Sequence, residues 1–71
     1  MSDSVYKIIE LVGTSPTSWE DAVQNVVSKA SKTLRDLRVA EVQKLDAKIE
    51  GAKIVAYRAR VTLSFKYQPK E

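Results

Sequence analysis

From Val55 to Tyr67 the chain alternates without a break. Val55, Tyr57, Ala59, Val61, Leu63, Phe65 and Tyr67 share one side; Ala56, Arg58, Arg60, Thr62, Ser64 and Lys66 share the other. A strand repeats every two residues, so this segment reads as one long strand with an apolar face and a polar face. Such a strand needs a cover for the apolar face and neighbours at its edges. Pro69 should end it, because proline brings no N–H to a ladder.

The rest of the chain supplies both. Val5 to Val12 (VYKIIELV) is rich in β-branched residues and stops at Gly13, which predicts a first strand with apolar residues on both faces. Gly13-Thr14-Ser15-Pro16-Thr17-Ser18 is a turn by composition. Thr17 with Glu20 fits a capping box, and Ser18 with Asp21 fits a competing register. A helix is expected from about residue 18 to about residue 36. Its stripe is Trp19, Ala22, Val23, Val26, Ala30, Leu34 and Leu37, in steps of three or four. Glu20 and Asp21 at its start, and Lys29, Lys32 and Arg35 toward its end, carry the signs that the helix dipole favours. A second strand is expected from about residue 39 to about residue 50. Within it Leu45, Ala47 and Ile49 alternate with Lys44, Asp46, Lys48 and Glu50. Gly51-Ala52-Lys53 is the hairpin turn.

The order is β-α-β-β, an α+β architecture. A right-handed crossover sets the first two strands parallel, and a tight hairpin sets the last two antiparallel. The simplest sheet has order 1-3-2, with the helix across the apolar face.

The chain has 71 residues, room for a single domain over 1–71. A domain of this size is marginal by itself. Small domains compensate with disulfides, a metal or oligomerisation. There is no Cys and no His, so disulfides are excluded and a structural zinc site is disfavoured. Self-association is the remaining route. The same two absences remove the usual neutral-pH base and the best nucleophile, and no spacing joins the Ser, Lys and carboxylates into a catalytic set. The chain therefore reads as a non-catalytic protein.

The net charge of +3 is too small to single out nucleic acid as a partner. No ribonucleoprotein-type aromatic motif appears. Apolar runs are too short for a membrane span, and Met1-Ser2-Asp3-Ser4 lacks the features of a signal peptide. The expected setting is the cytoplasm, without membrane or nucleic-acid partners. The polar face carrying Arg58 and Arg60 is either solvated, as in an isolated domain, or the lining of a subunit interface or ligand cleft.

Three segments resemble the dodecin family. These are Tyr6-Lys7-Ile8-Ile9-Glu10-Leu11-Val12-Gly13-Thr14-Ser15-Pro16, Leu37-Arg38-Val39-Ala40-Glu41-Val42, and Tyr57-Arg58-Ala59 with Leu63-Ser64-Phe65-Lys66. The resemblance spans about residues 5–66. It implies a hollow homododecamer that binds flavins in stacked pairs at subunit interfaces. In typical members a Trp at the start of strand two stacks on the isoalloxazine ring, and a Gln on strand three bonds its polar edge. Here Val39 stands at the Trp position and Arg58 at the Gln position, so the ligand site is altered. The chain's own Trp19 reads as an anchor of the helix on the sheet. Ser15-Pro16-Thr17-Ser18-Trp19-Glu20 and Arg38-Val39-Ala40 resemble a branch of the family that lacks the flavin Trp and for which calcium binding has been proposed.

For function, the resemblance implies storage or sequestration of a small ligand, of flavin type, or of an ion such as calcium. A purely structural oligomer without ligand is the alternative. Glu10 is a candidate metal ligand contributed by several copies, or else a partner in an ion pair. Glu41 with Arg58 or Arg60 is a candidate ion pair across an interface.

Overall fold

The computed structural model describes residues 5–67. Strand β1 spans Tyr6–Ser15, helix α1 Trp19–Ala30, strand β2 Leu37–Glu50 and strand β3 Lys53–Lys66. The sheet has order β1-β3-β2, and β3 is antiparallel to both neighbours. Element order, sheet order and the parallel sense of β1 and β2 are those expected. The predicted stop at Pro69 lies outside the described residues.

Helix α1 starts where Ser18 caps it. The Ser18 hydroxyl accepts from the Asp21 amide at 3.0 Å, so the second of the two capping registers is the one adopted. The corner before it is tied by Ser15, which is 2% exposed. Its hydroxyl donates to Asp21 Oδ2 at 2.7 Å and accepts from the Thr17 amide at 3.0 Å. The Asp21 carboxylate thus holds the turn rather than closing a capping box.

The helix ends at Ala30, about two turns before the expected end near Asp36. The reason is local competition for carbonyls. After Ser31 the next two amides make three-residue bonds, Lys32 to Lys29 O at 3.3 Å and Thr33 to Ala30 O at 3.1 Å, and the Leu34 amide closes on the same Ala30 O at 2.8 Å. The Ser31 hydroxyl also donates to Ser28 O, at 2.9 Å. Hydroxyls that bond back to the preceding turn favour termination. Asp36 then sits at φ 60, a left-handed conformation that Asp tolerates better than most residues, and the chain reverses into β2.

The buried core is Ala22, Val26 and Ala30 from α1, facing Ala59, Val61 and Leu63 from β3. The helix residues recur every four positions and the strand residues every two. The extent of this core follows from lengths. Twelve helical residues reach about 18 Å, whereas fourteen strand residues reach about 46 Å. The helix therefore covers only the middle of β3. Val55 and Tyr67, at the two ends of the expected apolar row, are 40% and 48% exposed. The molecule is correspondingly long, 55 × 20 × 15 Å.

The β2–β3 hairpin turns through Gly51 (φ 57) and Ala52 (φ 66). Positive φ at both central positions is the geometry that follows the natural twist of a hairpin. Irregularities fall between Leu37 and Val39, Val42 and Lys44, and Lys48 and Ile49. The last of these corrects the expected alternation. Ile49 lies opposite Ile54, out of step with Leu45 and Ala47.

Candidate functional site

Antiparallel pairing decides which side chains share a face. Away from the helix, β3 presents Arg58, Arg60, Thr62, Ser64 and Lys66. Beside them β1 presents Tyr6, Ile8, Glu10, Val12 and Thr14. From β2 come Val39 opposite Ser64, Glu41 opposite Thr62, Lys44 opposite Arg60 and Asp46 opposite Arg58. The polar face read from the sequence therefore exists, but it is not purely polar. Ile8 is 63% exposed and Val39 is 59% exposed.

Arg58 is held by Asp46. Its Nε donates to Oδ1 at 2.7 Å and its Nη2 to Oδ2 at 3.1 Å, a two-bond fork across β2 and β3. Asp46 is anchored in turn, because its carbonyl accepts from Trp19 Nε1 at 2.9 Å. The Trp19 ring meets Tyr57 edge-on at a centroid distance of 4.9 Å. Trp19 thus fastens the start of the helix to both strands of the hairpin, the anchoring role expected of it.

The hydrogen bond from Arg58 lowers the Asp46 carboxyl below its ordinary value of 3.8; desolvation opposes this, and the charges of Arg58 and Arg60 add to the lowering. A carboxylate whose pKa is lowered by folding adds stability above its unfolded value and loses it as pH falls through the folded value. The pair is exposed, so its contribution is small. Urea midpoints of the wild type and an Asp46→Asn variant are therefore expected to differ slightly near neutrality. The gap should close as pH falls below 3.8. A gap that stays constant with pH would contradict this account.

Arg60 Nε lies 4.0 Å from Glu10 Oε2, so Glu10 faces a cation on its own chain. Glu41 lies two residues along the same face, opposite Thr62, and Gln43 rather than Glu41 bonds the Thr62 hydroxyl. Val39 and Arg58 do not meet within one copy. Val39 pairs at Ser64, six residues from Arg58 along β3, which is on the order of 20 Å. Among the described residues, no group of three acidic side chains is placed to hold a metal ion. Calcium takes six to eight oxygens, so one copy does not furnish such a site.

Asp46 is the residue that sequence reasoning passed over. From the two-residue turn alone, Leu45 would stand opposite Arg58. The shift between Lys48 and Ile49 moves the register by one and brings Asp46 there instead. No composition signal marks that shift.

Residues 5–68 match the dodecin family model. The chain is 44% identical over 66 residues to calcium dodecin of Mycobacterium tuberculosis, covering 93% of each. It is 38% identical over 64 residues to dodecin of Thermus thermophilus, covering 90% of this chain and 93% of that one. Its backbone superposes on dodecin from Streptomyces coelicolor with a TM-score of 0.93 at 36% identity, covering 99% and 100% of the two chains. The crystal structure of the M. tuberculosis calcium dodecin, described as having a novel calcium-binding site, gives 0.83 at 43% identity, covering 96% and 97%. With sequence, strand order and backbone in agreement along almost its whole length, the chain belongs to the dodecin family.

Proposed function

We propose that this chain works as a closed homododecamer that stores or sequesters a small ligand or ion between its copies and catalyses no reaction. The observation that carries this reading is the distribution of apolar surface. Among the described residues only six hydrophobic ones are buried, while Ile8, Val12, Val39, Leu45, Ile49 and Ile54 are each more than half exposed. A single copy of 71 residues lacks the core to offset its chain entropy, and sister copies are the chemically matched cover.

An ion is favoured over a stacked flavin. Val39 has no π face, and both donor groups of Arg58 that face β2 are taken by Asp46. Similarity to a relative named for calcium supports the same choice. Glu10 is the candidate ligand, drawn from several copies because one copy gathers no acidic cluster among the described residues. Glu41 and Arg60 are left to pair across the interface.

Native mass spectrometry with calorimetric titration of calcium tests the proposal. The expected result is a twelve-chain particle that takes up calcium, with uptake lost in Glu10→Gln. A particle with neither calcium uptake nor a co-purifying molecule would leave the purely structural oligomer. The flavin position is tested separately. Riboflavin fluorescence should be quenched weakly by the wild type and strongly by Val39→Trp. Strong stoichiometric quenching by the wild type would restore a flavin site, and no gain from the Trp would refute the assignment of Val39.

A further inference from the structure

Helix α1 does not sit squarely on the sheet. It leans toward β1, where Asn25 Nδ2 donates to Thr14 O at 3.0 Å and where Gly13 lets the helix backbone come close. On the helix side of β2, Val42 lies opposite Val61 and Leu45 opposite Ala59. Both β3 residues are 0% exposed, yet Val42 is 45% and Leu45 51% exposed. Between α1 and β2 runs a cavity of about 190 Å³ whose lining includes Val27, Leu37, Ala40 and Leu63. The helix side of β2, from Leu37 to Leu45, is therefore an apolar strip one strand wide with a groove beside it.

A second strip lies at the opposite edge of the sheet and on its opposite side. There β1 presents Tyr6, Ile8 and Val12, which are 50%, 63% and 51% exposed. Glu10 stands among them with Arg60 Nε 4.0 Å away, so covering this strip leaves the carboxylate a cation. The two strips agree in length. The first runs opposite Ala59 to Phe65 and the second opposite Arg60 to Lys66, six steps of β3 or about 20 Å each. Exposed apolar patches rimmed by polar residues mark surfaces where a partner docks.

We infer that successive copies overlap like roof tiles in one orientation, the β1 strip of one copy lying on the β2 strip of the next. This rests on the reading of the protein as a homo-oligomer and names the contact that builds it. One such contact, used twice by each copy, covers both strips. Packed sheet faces stand about 10 Å apart, close to the diameter of a helix, so the arriving strand lies level with α1 and against the groove. A two-fold contact between β1 strips would draw Arg60 and Lys66 of the two copies together, and like charges oppose it. A two-fold contact between β2 strips would leave every β1 strip in water. An overlap of unlike strips is heterologous, so it repeats in one direction and closes into a ring.

Cross-linking tests the overlap. The chain has no Cys, so introduced thiols are unambiguous. Val12→Cys, Leu45→Cys and the double variant are weighed by native mass spectrometry, treated with a bismaleimide spanning about 10 Å, the separation of packed sheets, and run on a denaturing gel. The double variant should yield covalent species longer than two chains, ending at the size of the ring, and each single variant should yield single chains only. Where this pair does not assemble, Ile8→Cys with Ala40→Cys probes the other end of the same strips. Cross-linked pairs from a single variant, with nothing longer from the double variant, would show a two-fold contact and overturn the overlap. An assembled double variant that forms no cross-link would overturn it too, while leaving the oligomer intact. A wild type that sediments as one chain would remove the oligomer, and the overlap with it.

Discussion

Replacing Gly13 with alanine is expected to destabilise the fold by about 1–3 kcal/mol, the cost of forcing extra volume into close packing. Gly13 is buried on β1, opposite Ala59, under the helix. A Cβ there would fall inside the envelopes of the Ala22 carbonyl oxygen and a Val26 methyl group. The valine methyl can rotate aside, but the carbonyl belongs to the helix backbone and moves only with the helix. The backbone at Gly13 has no positive φ, so the requirement is for space rather than for conformational freedom. Ala22 is 0% exposed and Val26 is 5% exposed, so the helix has no slack on this side. A helix that shifts outward would also strain the bond from Asn25 Nδ2 to Thr14 O, now 3.0 Å, and the cap at Ser18. Total stabilities of small domains lie near the low end of about 5–15 kcal/mol. A loss of this size is therefore a large share, read as a lowered urea midpoint with an unchanged slope. An unchanged midpoint would show that α1 sits farther from β1 than described.

Much of this fold was legible because its strongest signals are periodic. The alternation from Val55 to Tyr67 and the stripe from Trp19 to Ala30 each repeat several times, so one irregular residue does not hide them. The Gly51-Ala52 turn was marked by its glycine. What stayed hidden depends on single residues. The helix end is decided by Ser31 and Thr33 turning back on the carbonyls before them, and both residues also occur inside helices. The Arg58–Asp46 fork depends on one irregularity, after Lys48, which a second one after Val42 undoes. A bulge sets two residues against one and leaves no mark in composition.

A Leu45→Lys, Ile49→Lys double variant is expected to break the oligomer apart. In a single copy these residues are 51% and 65% exposed. If they stayed so, polar replacements would change stability by no more than about 0.5 kcal/mol. If sister copies cover them, each contributes roughly 1–2 kcal/mol per chain, because about half to two thirds of its apolar surface is still left to remove from water. A lysine at a covered position must also give up hydration of its charge, at a cost of several kcal/mol without a partner. The penalty recurs in every copy of a symmetric assembly, so its total grows with the number of chains. Leu63→Ala provides the internal standard. Leu63 is 1% exposed within one copy, and its truncation should cost about 2–5 kcal/mol whatever the oligomeric state. Sedimentation separates the two effects: the Leu63 variant should remain assembled while melting lower, whereas the Lys variant should sediment as small species or unfold. A Lys variant that keeps both the wild-type mass and the wild-type midpoint would show that Leu45 and Ile49 face water in the assembly, and the copies would then meet through the other exposed apolar residues, among them Ile8 and Val12 of β1 and Val39 of β2.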